Sequence, residues 1–223
     1  MNKRVLVILA HPMLENSRIN RVLFAAARQC DCVRVHDLYA ACPEQMIDVA
    51  HEQALVNEHD VLVFQHPLYW YSCPALLKNW LDTVLRYGWA YGETTHLAGK
   101  VWVQAVSAAG SEVVYQRRGY NHFSMAELLR PFEQTARLCN MQYLQPFLTQ
   151  ATDTLSDAVL QEHAAGYAVW LNRLAAGDWP PVVDSLRAEE AQYLAPNIES
   201  AQYLAPTTGD AHGIAPDNGM KAS

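Results

Sequence analysis

The feature that most constrains the fold is an alternation of short apolar runs with longer segments of helical periodicity, from residue 4 to about residue 176. The runs at 4–10, 60–66 and 101–106 are almost continuously apolar, which is typical of strands buried on both faces of a sheet. Two further strands are predicted at 32–37 and 143–148. Helices are predicted at 17–29, 48–58, 74–86 and 124–139, with Pro131 as a local fault. A last helix is predicted to be capped by Asp153 and to end near Gly177.

Strands that alternate with helices in this way predict a doubly wound α/β domain, in which a five-stranded parallel sheet is covered on both faces. The expected strand order is 2-1-3-4-5, the flavodoxin-like order. Ligands of such sheets bind beyond the carboxyl ends of the strands. The candidate site loops are therefore those after Ala10, after Phe64 and after Val106.

The charge balance excludes some partners. The chain has 16 Lys and Arg against 23 Asp and Glu, a net charge of −7, so neither nucleic acid nor an anionic lipid surface is an expected partner. No apolar run approaches the roughly 18 residues of a spanning helix, and no signal peptide is visible, so a cytoplasmic location is expected. The five cysteines are expected to be reduced thiols, and the nine histidines lack ligand spacing, so no metal site is predicted.

Residues 178–223 differ in composition from the rest of the chain, with seven acidic and two basic residues. The hexapeptide AQYLAP occurs at 191–196 and again at 201–206, and its prolines would break a helix. The sequence therefore predicts an α/β domain over 1–177 and a mostly disordered acidic tail over 178–223. The repeat is either a drifted duplication without a role or a short tether built on Tyr193 and Tyr203.

The loop after the first strand carries residues that suit a phosphate group. It lacks the G-x-G-x-x-G dinucleotide motif, but the next helix offers free N–H groups and the positive end of its dipole. Ser17 can cap that helix and donate its hydroxyl, and Asn20 can brace the loop from within. Arg18 or His11 can supply a charge or a donor. The alternative is an ordinary helix cap after a strand.

An aromatic segment follows the third strand, bracketed by Pro67 and Pro74. Its side chains are expected on the ligand side of the sheet, where they suit a flat conjugated ring. Trp70 is interpreted as a binding residue because it lies in a loop, and Trp80 as a packing residue because it lies on a helix.

These residues resemble a known family. The pattern HP-x4-S-x2-N at 11–20, the segment HPLYWYSCPALLKNWLD at 66–82 and GWAYG at 88–92 are similar to flavodoxin-like NAD(P)H quinone reductases. VHDLYA at 35–40 and LRPFE at 129–133 most resemble the ancillary flavoprotein subunits (the KefG and KefF type) of glutathione-regulated potassium-efflux systems. The resemblance covers residue 4 to about residue 175 and does not include the tail.

The resemblance implies a set of roles. It implies FMN rather than FAD as cofactor, NAD(P)H as co-substrate, a small quinone as acceptor, a homodimer, and a potassium/proton antiporter as partner at the inner membrane. Tyr115 would lie beside the flavin as a catalytic residue, with a second catalytic residue at Asn121 or, after a one-residue slip, at His122. Trp89 and Tyr91 would overhang the flavin of the neighbouring subunit. The implied cofactor-binding residues are His11, Ser17, Arg18, Ile19, Asn20, Leu68, Tyr69, Trp70, Tyr71, Ser107, Ala108, Ala109 and Gly110.

The chain departs from the family in the turn after the fourth strand, which is usually Thr-Thr-Gly-Gly and is Ser-Ala-Ala-Gly at 107–110. Two methyl groups there are expected to narrow the site or shift the ring. Three functions stay open: a flavin-dependent quinone reductase, either free-standing or as an ancillary subunit; a regulatory subunit with a vestigial flavin site; and a redox sensor that works through Cys73.

Overall fold

The computed structural model describes residues 2–93 and 96–183, so the repeat and the remainder of the predicted tail beyond Val183 lie outside the described residues. Capping side chains explain where several of the helices begin. Ser17 caps α1, and Asp48 caps α3 as predicted, each by accepting a backbone N–H. The strands are β1 Val5–Leu9, β2 Val33–Asp37, β3 Val61–Pro67, β4 Val101–Ser107, β5 Gln142–Tyr143 and β6 Phe147–Thr149. The helices are α1 Arg18–Ala27, α2 Leu38–Ala41, α3 Val49–Asn57, α4 Ala75–Val84, α5 Met125–Leu128, α6 Arg130–Leu138 and α7 Asp157–Ala176.

The sheet confirms the predicted fold class and order. Its strands run β2-β1-β3-β4-β5, all pairings are parallel, and β6 also pairs with β4. The predicted fifth strand is thus split into β5 and β6 along one edge. Pro146 explains part of the break because it has no N–H to donate, and the N–H of Gln145 instead donates to the carbonyl of Pro181.

Two predicted helix details are wrong. Asp153 does not cap the last helix; Ser156 does, by accepting the N–H of Val159. The predicted helix at 124–139 is two helices, α5 and α6, that meet at Leu129. Pro131 lies in the first turn of α6, where a missing N–H costs nothing. The predicted end of the last helix is confirmed, because Gly177 follows α7 in the left-handed conformation, with φ of 79°.

Alternate side chains of the central strands pack into two cores, one on each face of the sheet. One core holds Phe64, Trp80 and Trp102 beneath α3, α4, α5 and α6. The other holds Val63, Tyr167 and the apolar sides of α1 and α7. Burial of both faces explains why the central runs are continuously apolar.

Residues 178–183, which the sequence assigned to the tail, lie against the domain. The N–H of Val183 donates to the carbonyl of Tyr143, and the indole N–H of Trp179 donates to the carbonyl of Leu174. The compact unit therefore runs to Val183 rather than ending at Gly177. In the described part of the chain, no helix has the length and apolar character that crossing a membrane requires.

Candidate functional site

A cavity of about 490 Å³ opens at the carboxyl ends of the strands, where the predicted loops meet. Its size falls within the range of small-ligand pockets. Ten of the thirteen predicted cofactor-binding residues line it, and Trp70, Tyr71 and Gly110 do not. The lining residues are His11, Asn16, Ser17, Arg18, Ile19, Asn20, Pro67, Leu68, Tyr69, Ser107, Ala108, Ala109, Thr152 and Asp153.

The first turn of α1 faces this cavity with unsatisfied donors. Ser17 Oγ accepts the N–H of Asn20 at 3.1 Å, so the hydroxyl proton of Ser17 stays available. The N–H groups of Arg18 and Ile19 are at the start of the helix, where no preceding turn supplies an acceptor. This end of α1 therefore has the geometry of an anion site.

His11 contributes a donor rather than a charge. Its Nδ1 accepts the backbone N–H of Met13 at 3.2 Å, so the neutral ring carries its proton on Nε2. Burial lowers the pKa of His11 below its usual value, and the nearby Glu15 carboxylate only partly offsets this effect. The ring is therefore neutral at pH 7 and offers one N–H.

Arg18 does not supply the free charge that the sequence suggested. Its guanidinium lies 2.7 Å from Asp157 Oδ1 and donates to the carbonyls of Leu155 and Thr152. The guanidinium is therefore engaged by the start of α7, and the side chain joins α1 to the loop before α7. The partner lies 139 residues away in sequence, which is why no local pattern indicates it.

Asn20 braces the site as expected. Its side chain is 2% exposed, and Nδ2 donates to Ser107 Oγ at 2.9 Å. Gln65 Nε2 donates to both the carbonyl oxygen and Oδ1 of Asn20. The start of α1 and the end of β4 are thus joined through a buried amide.

The aromatic loop holds two residues in the left-handed region. Trp70 has φ of 49° and Tyr71 has φ of 62°, which is uncommon for bulky residues and is found at functional sites. Trp70 is 89% exposed, whereas Tyr69 lines the cavity beside His11. Trp80 is fully buried and donates its indole N–H to Glu52 at 2.8 Å, as its packing interpretation required.

The two alanines after β4 have different environments. Ala108 is 4% exposed and packs with the core, whereas Ala109 is exposed at the cavity. A Cβ on Gly110 would lie 2.4 Å from Val114 and 2.9 Å from the ring of Tyr115. Glycine at 110 is therefore needed for the close approach of Tyr115.

Of the two predicted catalytic residues, His122 lines a second, mostly apolar cavity, whereas Tyr115 lines neither cavity. Burial raises the pKa of the Tyr115 hydroxyl, against the effect of a hydrogen bond with the backbone of Gly110. A second cavity of about 580 Å³ is lined by Tyr71, Tyr120, Asn121, His122, Phe123 and Leu128. Tyr71 donates its hydroxyl to Asn121 at 3.3 Å. The aromatic loop and the segment with both candidate second catalytic residues thus share one cavity.

Trp89 and Tyr91 line neither cavity. Both are half-buried, and Trp89 stacks on His96 with ring centroids 6.0 Å apart. The single chain does not bring them to the predicted substrate pocket, so that role stays a prediction. Burial raises the pKa of the Cys73 thiol, which disfavours the reactive thiolate of a redox sensor.

Sequence reasoning missed four residues of the cavity: Asn16, Pro67, Thr152 and Asp153. Thr152 and Asp153 follow β6, so the carboxyl-end rule applied to the last strand indicates them. The sequence pattern instead suggests that Asp153 caps a helix, which conceals its place at the cavity.

The residues around the first cavity fit a flavin mononucleotide. The N–H groups of α1, the hydroxyl of Ser17 and Nε2–H of His11 suit a phosphate. The carboxylate of Asp153 is an acceptor for ribityl hydroxyl groups. Where the structure describes the chain, no group of three or more His, Cys, Asp or Glu side chains has the arrangement to hold a metal ion.

Comparison with known proteins agrees with this geometry. A family model described as flavodoxin-like fold matches residues 3–171. The glutathione-regulated potassium-efflux system ancillary protein KefG of Serratia proteamaculans is 48% identical over 169 residues, covering 75% of this chain and 92% of the relative. The solved structure of general stress protein 14 in complex with FMN from Treponema denticola is 44% identical, with a TM-score of 0.73, over 77% of this chain and 99% of that one. An NADPH-quinone reductase structure from P. pentosaceus is 32% identical, with a TM-score of 0.70, over 77% of this chain and 97% of that one.

Proposed function

Because this chain belongs to the flavodoxin-like fold family, we propose that it binds FMN in the first cavity and reduces a small quinone with NAD(P)H. We further propose that it acts as the ancillary subunit of a glutathione-regulated potassium/proton antiporter. The observation that carries the proposal is the uncharged set of donors at the start of α1, facing a cavity that the loop after β3 and the turn after β4 complete. Three similar proteins support it: one is named a potassium-efflux ancillary protein, one is solved in complex with FMN, and one is named an NADPH-quinone reductase.

The phosphate end of FMN would be held without a free cation. The helix N–H groups, Ser17 and His11 Nε2–H would each donate to a phosphate oxygen, and the dipole of α1 adds a favourable field. Asn20 and Ser107 would keep these donors in place. Thr152 and Asp153 would close the cavity over the ribityl chain.

When bound, the flavin would supply hydride acceptance from NAD(P)H and two-electron delivery to the quinone. Tyr69 would contact the ring inside the first cavity. Trp70 and Tyr71, which do not line that cavity, would cover the part of the ring that extends beyond it. Tyr115 would hold its proton and donate a hydrogen bond toward the ring, since a tyrosine hydroxyl is neutral at pH 7 and burial raises its pKa further. His122, or Asn121 beside it, would be the second polar group over the acceptor.

A homodimer completes the proposal. Trp89 and Tyr91 lie outside both cavities of their own chain, so a role over the flavin requires a second copy. The antiporter would bring the protein to the inner membrane as a protein partner, and no lipid contact is proposed for the acidic chain.

The deciding experiment is to purify the full chain, record its absorption spectrum and measure NAD(P)H oxidation with and without a soluble benzoquinone. We expect a stoichiometric flavin spectrum and quinone-dependent turnover. A colourless protein that FMN does not restore would favour the regulatory subunit with a vestigial site. Turnover without recruitment to membranes that hold the antiporter would favour a free-standing reductase.

Ser17→Asp should weaken FMN binding at least about tenfold, because a carboxylate beside a phosphate dianion is repulsive. Aspartate is also a good helix cap, so α1 should remain intact. Ser156→Asp is the matched control, since Ser156 caps α7 in the same way and does not line the cavity. Equal FMN affinities for the two variants, measured by fluorescence titration, would move the phosphate elsewhere.

A further inference from the structure

A series of hydrogen bonds between buried residues connects α7 to the phosphate end of the cavity. Tyr167 of α7 donates its hydroxyl to Gln65 Oε1 at 3.1 Å. Gln65 of β3 donates to Asn20 Oδ1 at 3.3 Å, and Asn20 donates to Ser107 Oγ at 2.9 Å. All four residues are buried, so the chain of hydrogen bonds is shielded from water.

The hydroxyl of Tyr167 fixes the donor-to-acceptor direction of every hydrogen bond in this series. A glutamine amide accepts at its oxygen and donates at its nitrogen, so a hydroxyl donor at Oε1 turns Nε2 toward Asn20. The same rule then turns Oδ1 of Asn20 toward Gln65 and Nδ2 toward Ser107. Burial raises the pKa of Tyr167, so its hydroxyl stays protonated and remains a donor.

The direction of these hydrogen bonds matters because the last two residues of the series, Asn20 and Ser107, line the cavity. The N–H of Asn20 donates to Ser17 Oγ, so the position of Asn20 sets the first turn of α1 and its free N–H groups. Ser107 lines the cavity on the far side. A change in the Asn20 amide would therefore move both walls of the phosphate end.

α7 is attached to the same region a second time. The guanidinium of Arg18 lies against Asp157 and the Leu155 carbonyl at the start of α7. The helix thus holds α1 at its own first turn and again in its middle, through Tyr167. Neither Tyr167 nor Gln65 lines the cavity, so their influence on a ligand acts through Asn20.

We infer that Tyr167 and Gln65 are positioning residues for the phosphate group of the bound flavin. This inference rests on the proposed function. It assigns to α7, which shares a core with α1 on one face of the sheet, a part in discriminating a phosphorylated flavin from one without phosphate.

The test compares FMN with riboflavin, which lacks only the phosphate, on the full chain freed of flavin. Tyr167→Phe should reduce the ratio of FMN affinity to riboflavin affinity by about fivefold, because one buried hydrogen bond that fixes the donors is lost. Riboflavin affinity should change less. A purely structural effect would lower both affinities together and leave the ratio unchanged.

Tyr143→Phe is the matched control. Tyr143 is also a buried tyrosine that donates to a strand glutamine, Gln104, at 2.7 Å. That series continues to His66 and the carbonyl of Pro67. Pro67 lines the cavity, but the series includes neither Asn20 nor the start of α1, where the phosphate is proposed to bind. The control should therefore lose comparable stability and keep the wild-type ratio of affinities.

A second pair of variants keeps the test decisive if a single substitution destabilises the protein. Gln65→Met removes the amide at nearly the same volume, and the double variant with Tyr167→Phe leaves no orphaned hydroxyl. The double variant should be more stable than Gln65→Met alone while the affinity ratio stays low. A folded Tyr167→Phe or double variant with the wild-type ratio would overturn the inference alone. A wild-type protein that binds no FMN would overturn the proposed function and this inference with it.

Discussion

Trp80→Ala should lower the free energy of unfolding by about 3–5 kcal/mol, the cost of removing a large aromatic side chain from a packed core. Trp80 of α4 is fully buried, and its ring packs edge-on against Phe64 with the ring centroids 5.6 Å apart. Its indole N–H is also one of two donors to the buried carboxylate of Glu52, together with the ring of His36. The substitution therefore leaves both a cavity and a carboxylate that has lost a partner.

Trp70→Ala is the control for the same residue type. Its side chain is 89% exposed, so the free energy of unfolding should change by less than about 0.5 kcal/mol. Quinone or flavin binding should weaken instead. Urea denaturation of both variants, with flavin titration of the folded Trp70→Ala protein, makes the comparison. Similar losses of stability would mean that the aromatic loop packs as core.

The two tryptophans show what the sequence could predict. Trp80 lies on a helix with apolar neighbours at helical spacing, and Trp70 lies in a loop between two prolines, so local pattern alone separates them. The same reasoning located the loops after β1, β3 and β4, because the carboxyl-end rule needs only the order of elements. These loops form the cavity in the structure.

Long-range polar contacts could not be predicted. Arg18 forms an ion pair with Asp157. The backbone N–H of Met13 donates to Nδ1 of His11, so the ring proton lies on Nε2. Of the charge or donor that the sequence allowed for these two residues, His11 therefore offers the donor. Neither contact follows from a periodic sequence pattern. The split of the last strand likewise depends on residues 181–183, which a composition change had assigned to the tail.

The turn at 107–110 illustrates a third limit. Both alanines line the cavity, but Ala108 also packs with the core whereas Ala109 is exposed. Side chains that follow a strand alternate between faces, so the two methyl groups have different surroundings, and their effect on the ring stays a prediction. The glycine that matters for close approach, Gly110, is the one that the chain retains.

A buried histidine should make the protein sensitive to mild acid. His66 is completely buried on β3, where Nδ1 lies 2.9 Å from the Pro67 carbonyl and Nε2 lies 3.1 Å from Gln104 Nε2. In this arrangement Nδ1 carries the proton and donates, and Nε2 accepts. Burial lowers the pKa of His66 from 6.5 to about 4, because the charged ring has no water around it.

The sign of the pH dependence follows from proton binding. Between pH 6.5 and about 4 the unfolded chain binds a proton at His66 that the folded chain does not, so acid stabilises the unfolded state. The contribution of His66 is complete above pH 6.5 and is lost as the pH falls toward the folded pKa. From pH 7 to pH 5 this one group should cost about 2 kcal/mol of unfolding free energy.

His66→Gln isolates that contribution, since glutamine keeps a hydrogen-bonding side chain and does not titrate. His11 and His59 also have pKa values lowered by burial, and they act in the same direction in both proteins, so the difference between the two profiles reports His66. Urea denaturation at pH 7 and pH 5 should show that the variant loses about 2 kcal/mol less than the wild type across this interval. The variant starts from a lower stability at pH 7, because Gln104 and Tyr143 must adjust to the new partner. Parallel pH profiles for the two proteins would show that the His66 ring is protonated, or reached by water, in the folded state.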